Sequence, residues 1–399
     1  MKTLLLTDIP PCTNYTAGIV TAQMCRAVPA GQLAVFNVQN PHLTPELCAD
    51  LAQLPMVTVH KPNEFGVRRW RGLPITTLGQ TAVEFRKRML RLRPIIAQAL
   101  EFGRAQEVDN LWCVLQGQTM LRLALPVARG LGVPLRLHLW DPLEWWHRAH
   151  RVDRLNAWLD RRLFDRVMRA GESCASASWA MTEHFARRYG LRGEPVIAAL
   201  DTPVQRRPEP VLHRPDTLTI GMAGQFYAEA EWLTLVSALT HAKWRVAGRT
   251  VRLLAMGGSP PPGAIPSENL DFRGWQPQAE VVRLLAEEAD LLYCGYPFGA
   301  EMEQVSRLSF PSKLPTYFAA GRPVLFHGRA DSSPATYLAR RAAAWIVAQP
   351  DAASLHSALL NLAEDEAAFA RFARAASAAF EADFTLETQR AAVRRFLGL

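Results

Sequence analysis

The chain has 399 residues, 49% apolar and 21% charged, a globular composition that excludes disorder and suits two domains of about 150–200 residues. It contains no uninterrupted apolar run of about 18 residues, which excludes a spanning helix, and the opening MKTLLLTDIPP reads as a first buried strand rather than a secretory leader. The formal charge of +8 is uneven: residues 1–200 hold 25 Lys+Arg against 16 Asp+Glu, and residues 201–399 hold 20 against 21.

A basic first half suggests an anionic partner, whether nucleic acid, membrane lipid or a phosphorylated substrate, unless it reflects only an Arg-rich proteome. Six scattered cysteines with no Cys-x-x-Cys pair argue against a structural zinc site or a disulfide framework and fit a reducing, cytoplasmic setting.

In chain order, Thr3 to Thr7 reads as a strand, followed by the turn-rich loop Asp8 to Gly18, a helix and a second strand, Leu33 to Val38. LWCVLQG (111–117) and PLRLHLW (134–140) read as further buried strands, each followed by a helical pattern. Strands alternating with helices predict a parallel sheet covered on both faces. Residues 201–216 carry four prolines and read as a linker. The alternation then restarts with TLTIGMAG (217–224), VRLLAMGG (251–258), ADLLYCGYP (289–297) and RPVLFHG (322–328). Helices are expected at Glu229–His241 and Ala279–Glu288, an Ala-rich helical region at 351–380 and an amphipathic one at 385–398. The expected architecture is α/β, two doubly wound domains, with ligands at the carboxyl ends of the strands and the inter-domain cleft as the default site.

The most informative stretch is SRLSFPSKLPTYFAAGRPVLFHG, 306–328. Ser309 or Ser312 can cap a helix running to Ala320, and Gly321 can end it. Lys313 beside that helix start, with Arg307 upstream, would make an anion site suited to a diphosphate; an ordinary capped helix with a surface lysine is the alternative.

This segment resembles the donor-binding motif of GT-B glycosyltransferases, in particular family 4-like enzymes of bacterial surface polysaccharide synthesis. The matching residues are Pro311, Ser312, Lys313, Leu314, Tyr317, Ala319, Gly321, Pro323 and Val324. Residues 270–298 resemble the strand–Gly–helix block of those enzymes, and IGMAGQF (220–226) resembles the first strand of their donor domain. SASWAMTEHFARRYG (176–190) and PVIAALD (195–201) resemble the end of their acceptor domain. The resemblance implies two Rossmann-like domains: an acceptor domain at 1–205, a linker at 206–216, a nucleotide-sugar domain at 217–380, and a final helix, 381–399, packing back toward the first.

The implied activity is transfer of a sugar from a nucleoside-diphosphate-sugar to a hydroxyl of a glycan or lipid-linked acceptor, retaining and without a metal or other cofactor. No Asp-x-Asp clamp is present. Lys313 and Arg307 would stabilise the departing diphosphate. Gly224, Ser309, Ser312 and Thr316 would belong to the donor site. Gly274 and Trp275 would border the nucleobase, unless Trp275 is a core aromatic, and Glu301 or Glu303 would meet sugar hydroxyls. Two motif glutamates of the family are replaced here by Leu308 and Thr316, and its usual Arg–Lys pair by Gln225 and Glu229. Those departures leave a second reading open, a degenerate subunit that binds a glycan or a partner without transferring sugar. An epimerase or phosphorylase on the same architecture is a third.

In the first half, the small polar loop Thr13, Asn14, Thr16 and Gly18 can approach an acceptor or a phosphate closely. Asp141, after the strand 134–140, can orient or deprotonate an acceptor hydroxyl, while His138 within the strand reads as a core histidine. Trp140, Trp145 and Trp146 can stack on sugar or fill a core. In residues 84–96, Phe85, Met89, Leu92 and Ile96 form an apolar stripe bordered by Arg86, Lys87, Arg88, Arg91 and Arg93. With residues 68–71, this stripe would place the chain on an anionic membrane, at the inner leaflet of a cytoplasmic enzyme; a solvated basic helix is the alternative. No nucleic-acid motif accompanies the charge.

Overall fold

The computed structural model describes residues 1–62, 64, 69–70, 73–74, 76–205, 212 and 214–399, with backbone alone for 69, 70, 73, 74 and 88. They form two compact units, Met1–Ile197 with Gln389–Leu399, and Ala198–Thr388. Residues 198–205 thus group with the second unit and the chain's last eleven residues with the first; 206–211 and 213, within the expected linker, lie outside the described residues.

The first unit is built on a seven-stranded parallel sheet: β1 (Thr3–Thr7), β2 (Leu33–Gln39), β3 (Met56–His60), β6 (Asn110–Val114), β7 (Leu135–Leu139), β8 (Ser173–Ser176) and β9 (Arg192–Pro195), in the order β3-β2-β1-β6-β7-β8-β9. A short antiparallel pair, β4 (Arg69–Trp70) and β5 (Leu73–Pro74), stands apart from it. Every residue of β1, β2, β6 and β7 is buried, the polar Asn37, Gln39, Asn110, Arg136 and His138 included, as expected of a parallel sheet with helices on both faces. The core includes Leu5, Val35, Trp112 and Val114, closed by Val393, Phe396 and Leu397 of the last helix, Leu386–Leu397. Arg136 ties that helix down, donating to Phe396 O at 3.0 Å and to Asn110 Oδ1 at 2.9 Å.

The second sheet contains β10 (Thr217–Ala223), β11 (Arg245–Val246), β12 (Arg249–Met256), β13 (Leu270–Phe272), β14 (Leu291–Gly295), β15 (Val324–His327) and β16 (Trp345–Val347). Its order is β11-β12-β10-β14-β15-β16, with β13 also pairing β12 and only β11 antiparallel. In both sheets the strand order reverses beside the first strand, so the carboxyl ends of β1 and β6, and of β10 and β14, are where a doubly wound sheet opens a crevice.

The helix expected at Glu229–His241 has those bounds. The Ala-rich region divides at Asp365, whose carboxylate accepts from Ala368 N at 2.8 Å and caps the second of two helices. No helix among the described residues is long and apolar enough to cross a membrane.

The basic segment departs from the expected single stripe. Helix Thr77–Lys87 passes through a π-turn, Arg88–Leu92, into helix Arg93–Ala105. The wider turn shifts the phase, so Leu92 and Ile95 are buried while Leu78 (75% exposed), Phe85 (63%) and Leu90 stay outside. Lys87 pairs with Glu84 at 2.5 Å, leaving Arg86, Arg91 and Arg93 on the exposed side. Arg68 and Arg71 lie outside the described residues, as do the side chains of Arg69, Trp70 and Arg88.

Candidate functional site

In the second unit, three strand ends are stitched together by backbone. Gly224 N, just past β10, donates to Met256 O at 2.9 Å, and Gly257 N, just past β12, donates to Gly274 O at 2.9 Å. Gly224 has φ +93°, a conformation that favours glycine, and the space a Cβ would fill there ends 3.9 Å away at Lys313 Cε.

Lys313 opens the helix Lys313–Ala319 and reaches back to this edge. Its Nζ donates to Gln225 O at 3.1 Å and lies 5.6 Å from the centre of the Tyr227 ring. Desolvation lowers its pKa, with Cys294 working the other way. Tyr317, four residues on, is fully buried, and its hydroxyl accepts from Ala223 N at 3.0 Å. The motif therefore clamps the end of β10.

The helix differs from the one expected. It begins at Lys313 and spans seven residues; Ser312 is exposed and makes no side-chain cap, and the Ser309 hydroxyl is buried without a hydrogen-bond partner among the described residues. The cation, rather than a capped helix start, is what this segment presents.

The remaining donor candidates fall into separate settings. Thr316 is buried, and its hydroxyl accepts from Gln278 Nε2 at 2.9 Å. Trp275 is 74% exposed, which excludes a core role. Arg307 is engaged by Asp331 at 2.8 Å and by Glu303 at 3.2 Å, in a cluster that Arg329 joins. Glu301 lies on a 3-10 turn and folds over Gly299.

In the first unit the loop after β1 is spent on structure. Thr13 N donates to Glu46 O at 2.8 Å, Asn14 Nδ2 to Thr44 O at 2.9 Å, and Glu46 N to Asn14 Oδ1 at 3.0 Å. Thr16 is the exposed first residue of helix Thr16–Cys25. Gly18 lies so close to Cys12 Sγ that a Cβ would collide with it, so its small size serves packing. Trp140 packs half-buried on the core, with its ring 6.1 Å from His138. His138 is buried with its pKa pulled down to about 3 by desolvation, and is neutral. Asp141 is half-buried beside Gln116 and Gly117; desolvation raises its pKa, and a hydrogen bond with Gln116 works against that rise.

Sequence reasoning missed a buried charged network at the carboxyl ends of β1, β3 and β6. Lys61 Nζ lies 2.9 Å from Glu64 Oε2 and 3.3 Å from Asp8 Oδ2. Burial opposes the Lys61 charge, but Glu64 and Asp8 leave its pKa raised. The other Glu64 oxygen accepts from Thr119 N at 2.6 Å, at the start of helix Gly117–Leu131. Beside it, Arg122 joins Glu84 (2.7 Å) to Asp160 (3.4 Å), and Gln118 Nε2 donates to Asp160 at 2.6 Å. Glu64, Gln80, Glu84, Gln118 and Asn156 line a pocket of about 250 Å3. Apart from Lys61 and Glu64, three residues apart, its members come from elements far apart in sequence, so no spacing announces the network.

The chain matches no protein-family model and no curated protein. Solved structures do match along its whole length. HepE of Anabaena, in complex with UDP and glucose, is 14% identical with a TM-score of 0.62, covering 100% of each chain. Sucrose-phosphate synthase from Thermosynechococcus elongatus is 13% identical with a TM-score of 0.63, over 99% of this chain and 98% of that one. α,α-Trehalose 6-phosphate synthase from Burkholderia multivorans is 14% identical with a TM-score of 0.59, over 100% and 98%. The chain has the fold of these glycosyltransferases, GT-B, with its two parallel-sheet α/β domains. At such identities the likeness establishes the fold alone.

Proposed function

We propose that this chain is a glycosyltransferase that moves a sugar from a nucleoside-diphosphate-sugar to a hydroxyl of a glycan or lipid-linked acceptor, in family 4-like surface polysaccharide synthesis. The observation that carries the reading is Lys313, a half-buried cation held over the glycine turn at the end of β10, in a fold shared along its whole length with a UDP- and glucose-bound protein. A preorganised cation in a poorly solvated setting stabilises the charge that develops on a departing diphosphate. Gly274 and the exposed Trp275 flank the same strand ends and offer the nucleobase a backbone edge and an aromatic face. Asp141 would orient the acceptor hydroxyl, its raised pKa suiting it to share a proton.

Transfer would be retaining, with electrostatic stabilisation in place of a covalent nucleophile, and would need neither a metal nor another cofactor. The exposed Leu78, Phe85 and Leu90 with Arg86, Arg91 and Arg93 support peripheral attachment to the inner leaflet of a cytoplasmic membrane.

The alternative, a binding subunit without transfer, draws on the engagement of Arg307 by acids and on Thr316 in place of a motif glutamate. Thermal shift against UDP-, GDP-, dTDP- and ADP-sugars, followed by measurement of released nucleotide, separates the two. A shift with one class of nucleotide sugar, followed by slow release, supports the enzyme; no shift with any of them sinks the donor assignment and favours the binding subunit.

A further inference from the structure

Glu231, in the first turn of helix Glu229–His241, is a buried acid without a cation. It is 6% exposed, and among the described residues no lysine, arginine or histidine pairs with its carboxylate. Oε1 accepts from Phe298 N at 2.8 Å, while Oε2 has no hydrogen-bond partner among the described residues. The surroundings hold the acid in place. Tyr293 Oη donates to Glu231 O at 2.7 Å, and Gly295, the last residue of β14, leaves room beside it, since a Cβ there would lie 3.3 Å from Glu231 Cβ. Tyr296 N donates to His327 O at 2.8 Å and Ser306 Oγ to Pro297 O at 2.7 Å, which fixes the segment that carries the Phe298 amide. A helix start favours an acid, and anchoring Phe298 needs only Oε1. A buried carboxylate is stable when donors satisfy its oxygens, and here one hydrogen bond leaves most of that capacity unused.

Its place along the sheet says which donors can arrive. The carboxyl ends of the strands stand in a row, β13 beside β12, then β10, then β14. Neighbouring strands lie about 4.8 Å apart, so the row spans roughly 14 Å. Gly274 and Trp275 follow β13, Lys313 reaches the turn after β10, and Glu231 lies against the end of β14. In the donor site proposed above, the nucleobase and the diphosphate take the first two places, which leaves the third to the sugar. A phosphate is repelled by Glu231, whereas sugar hydroxyls are donors that pair with a carboxylate. The acids expected from the sequence to meet them are engaged: Glu303 lies 3.2 Å from Arg307 and 3.9 Å from Arg329, and Glu301 folds over Gly299.

We infer that Glu231 selects the donor sugar, with Oε1 holding Phe298 and Oε2 accepting from a hydroxyl of the transferred ring. The inference rests on the proposed donor site and adds the residue that reads the sugar.

Calorimetry on the full chain tests it. UDP-glucose, UDP-N-acetylglucosamine, GDP-mannose, dTDP-glucose and ADP-glucose are each titrated beside the free nucleotide. Glu231→Gln keeps an oxygen for Phe298 N and puts an amide nitrogen where Oε2 was. It should weaken the accepted nucleotide sugar by about tenfold or more, the worth of a hydrogen bond to a charged group, and leave the free nucleotide within about twofold. Deoxy sugars supply a readout that a merely structural acid would not move. The monodeoxy analogue lacking the paired hydroxyl should bind the wild type about tenfold more weakly than its parent and lose nothing further in Glu231→Gln. Equal losses of nucleotide and nucleotide sugar, no loss of either, or the sugar-specific loss appearing in Glu303→Gln instead, overturns the inference and leaves the donor site standing. So does a wild type that binds free nucleotide but none of these nucleotide sugars. Binding of no nucleotide at all removes the donor site itself, and the inference with it.

Discussion

Lys313 Nζ and Gln225 O, 88 residues apart in sequence, meet at 3.1 Å and fix a cation above the glycine turn that ends β10. The lysine is held by a carbonyl rather than a carboxylate, so no acid neutralises it at this contact, and its charge remains available to an arriving diphosphate.

Lys313→Ala should therefore abolish sugar transfer and weaken nucleoside-diphosphate binding by about tenfold or more, while thermal stability changes little. The pH profile adds a sharper check. Desolvation lowers the Lys313 pKa, so the free protein loses this charge as pH rises through a value below that of an ordinary lysine. Nucleotide affinity should fall on the alkaline side, and Lys313→Arg should move that fall to higher pH. Arg307→Ala should cost less than Lys313→Ala, since its guanidinium is already engaged by Asp331 and Glu303. An equal loss from the two variants in direct binding would count against this assignment.

Under the proposed donor site, Gln278 would stand in for the motif glutamate: its Nε2 donates to the Thr316 hydroxyl at 2.9 Å, and its amide oxygen would accept from a ribose hydroxyl. Gln278→Ala should raise the nucleotide Kd by about fivefold, the worth of one hydrogen bond of about 1 kcal/mol. It should also erase the preference for a ribonucleoside diphosphate over its 2′-deoxy and 3′-deoxy analogues. A preference that survives in the variant assigns ribose recognition elsewhere.

His138 sets an acid limit on stability. Its folded-state pKa is about 3 against an ordinary 6.5, so the unfolded chain binds a proton that the folded chain refuses. Stability should be lost as pH falls from 6.5 toward 3, by at most roughly 5 kcal/mol. His138→Leu should flatten that slope in denaturant titrations, while costing about 1–2 kcal/mol at neutral pH because the Trp112 indole N–H loses its acceptor. An unchanged slope would mean that other groups dominate acid unfolding.

What could be read in the sequence was what local pattern determines. The all-buried strand Thr3–Thr7 and the helix Glu229–His241 follow from periodicity, and the glycine-bearing strand ends of the second unit follow from turn chemistry. Contacts between distant segments were not legible. Thr316 meets Gln278 across 38 residues, and Arg122 joins Glu84 to Asp160 from three separate helices, with no spacing to mark either. Short β8, built of SCAS, and the edge strand β9 lack the apolar signature of the central strands. Asn14 and Gly18 carried a plausible loop signal, but the structure spends them on holding residues 44–46 and fitting against Cys12.

The membrane reading changes with the π-turn at Arg88–Leu92. Helical spacing joins Phe85 to Leu92, yet the turn sends Leu92 into the core and leaves Leu78, Phe85 and Leu90 outside. The apolar part of a membrane contact must come from these three, and the attraction to anionic lipid from Arg86, Arg91 and Arg93, each worth about 1 kcal/mol near such a surface. Together they give reversible attachment that weakens with salt, because the Debye length is about 8 Å at physiological ionic strength. Phe85→Glu and Leu90→Glu, both at exposed positions, should release the chain from phosphatidylserine vesicles without loss of thermal stability. Leu92→Glu should instead unfold the first unit, since it buries a charge without a partner. Nucleotide binding should persist in the first two variants, because Lys313 and Gln278 belong to the second unit. If the wild type fails to sediment with anionic vesicles at low salt, the basic face is a solvated surface and the acceptor is soluble.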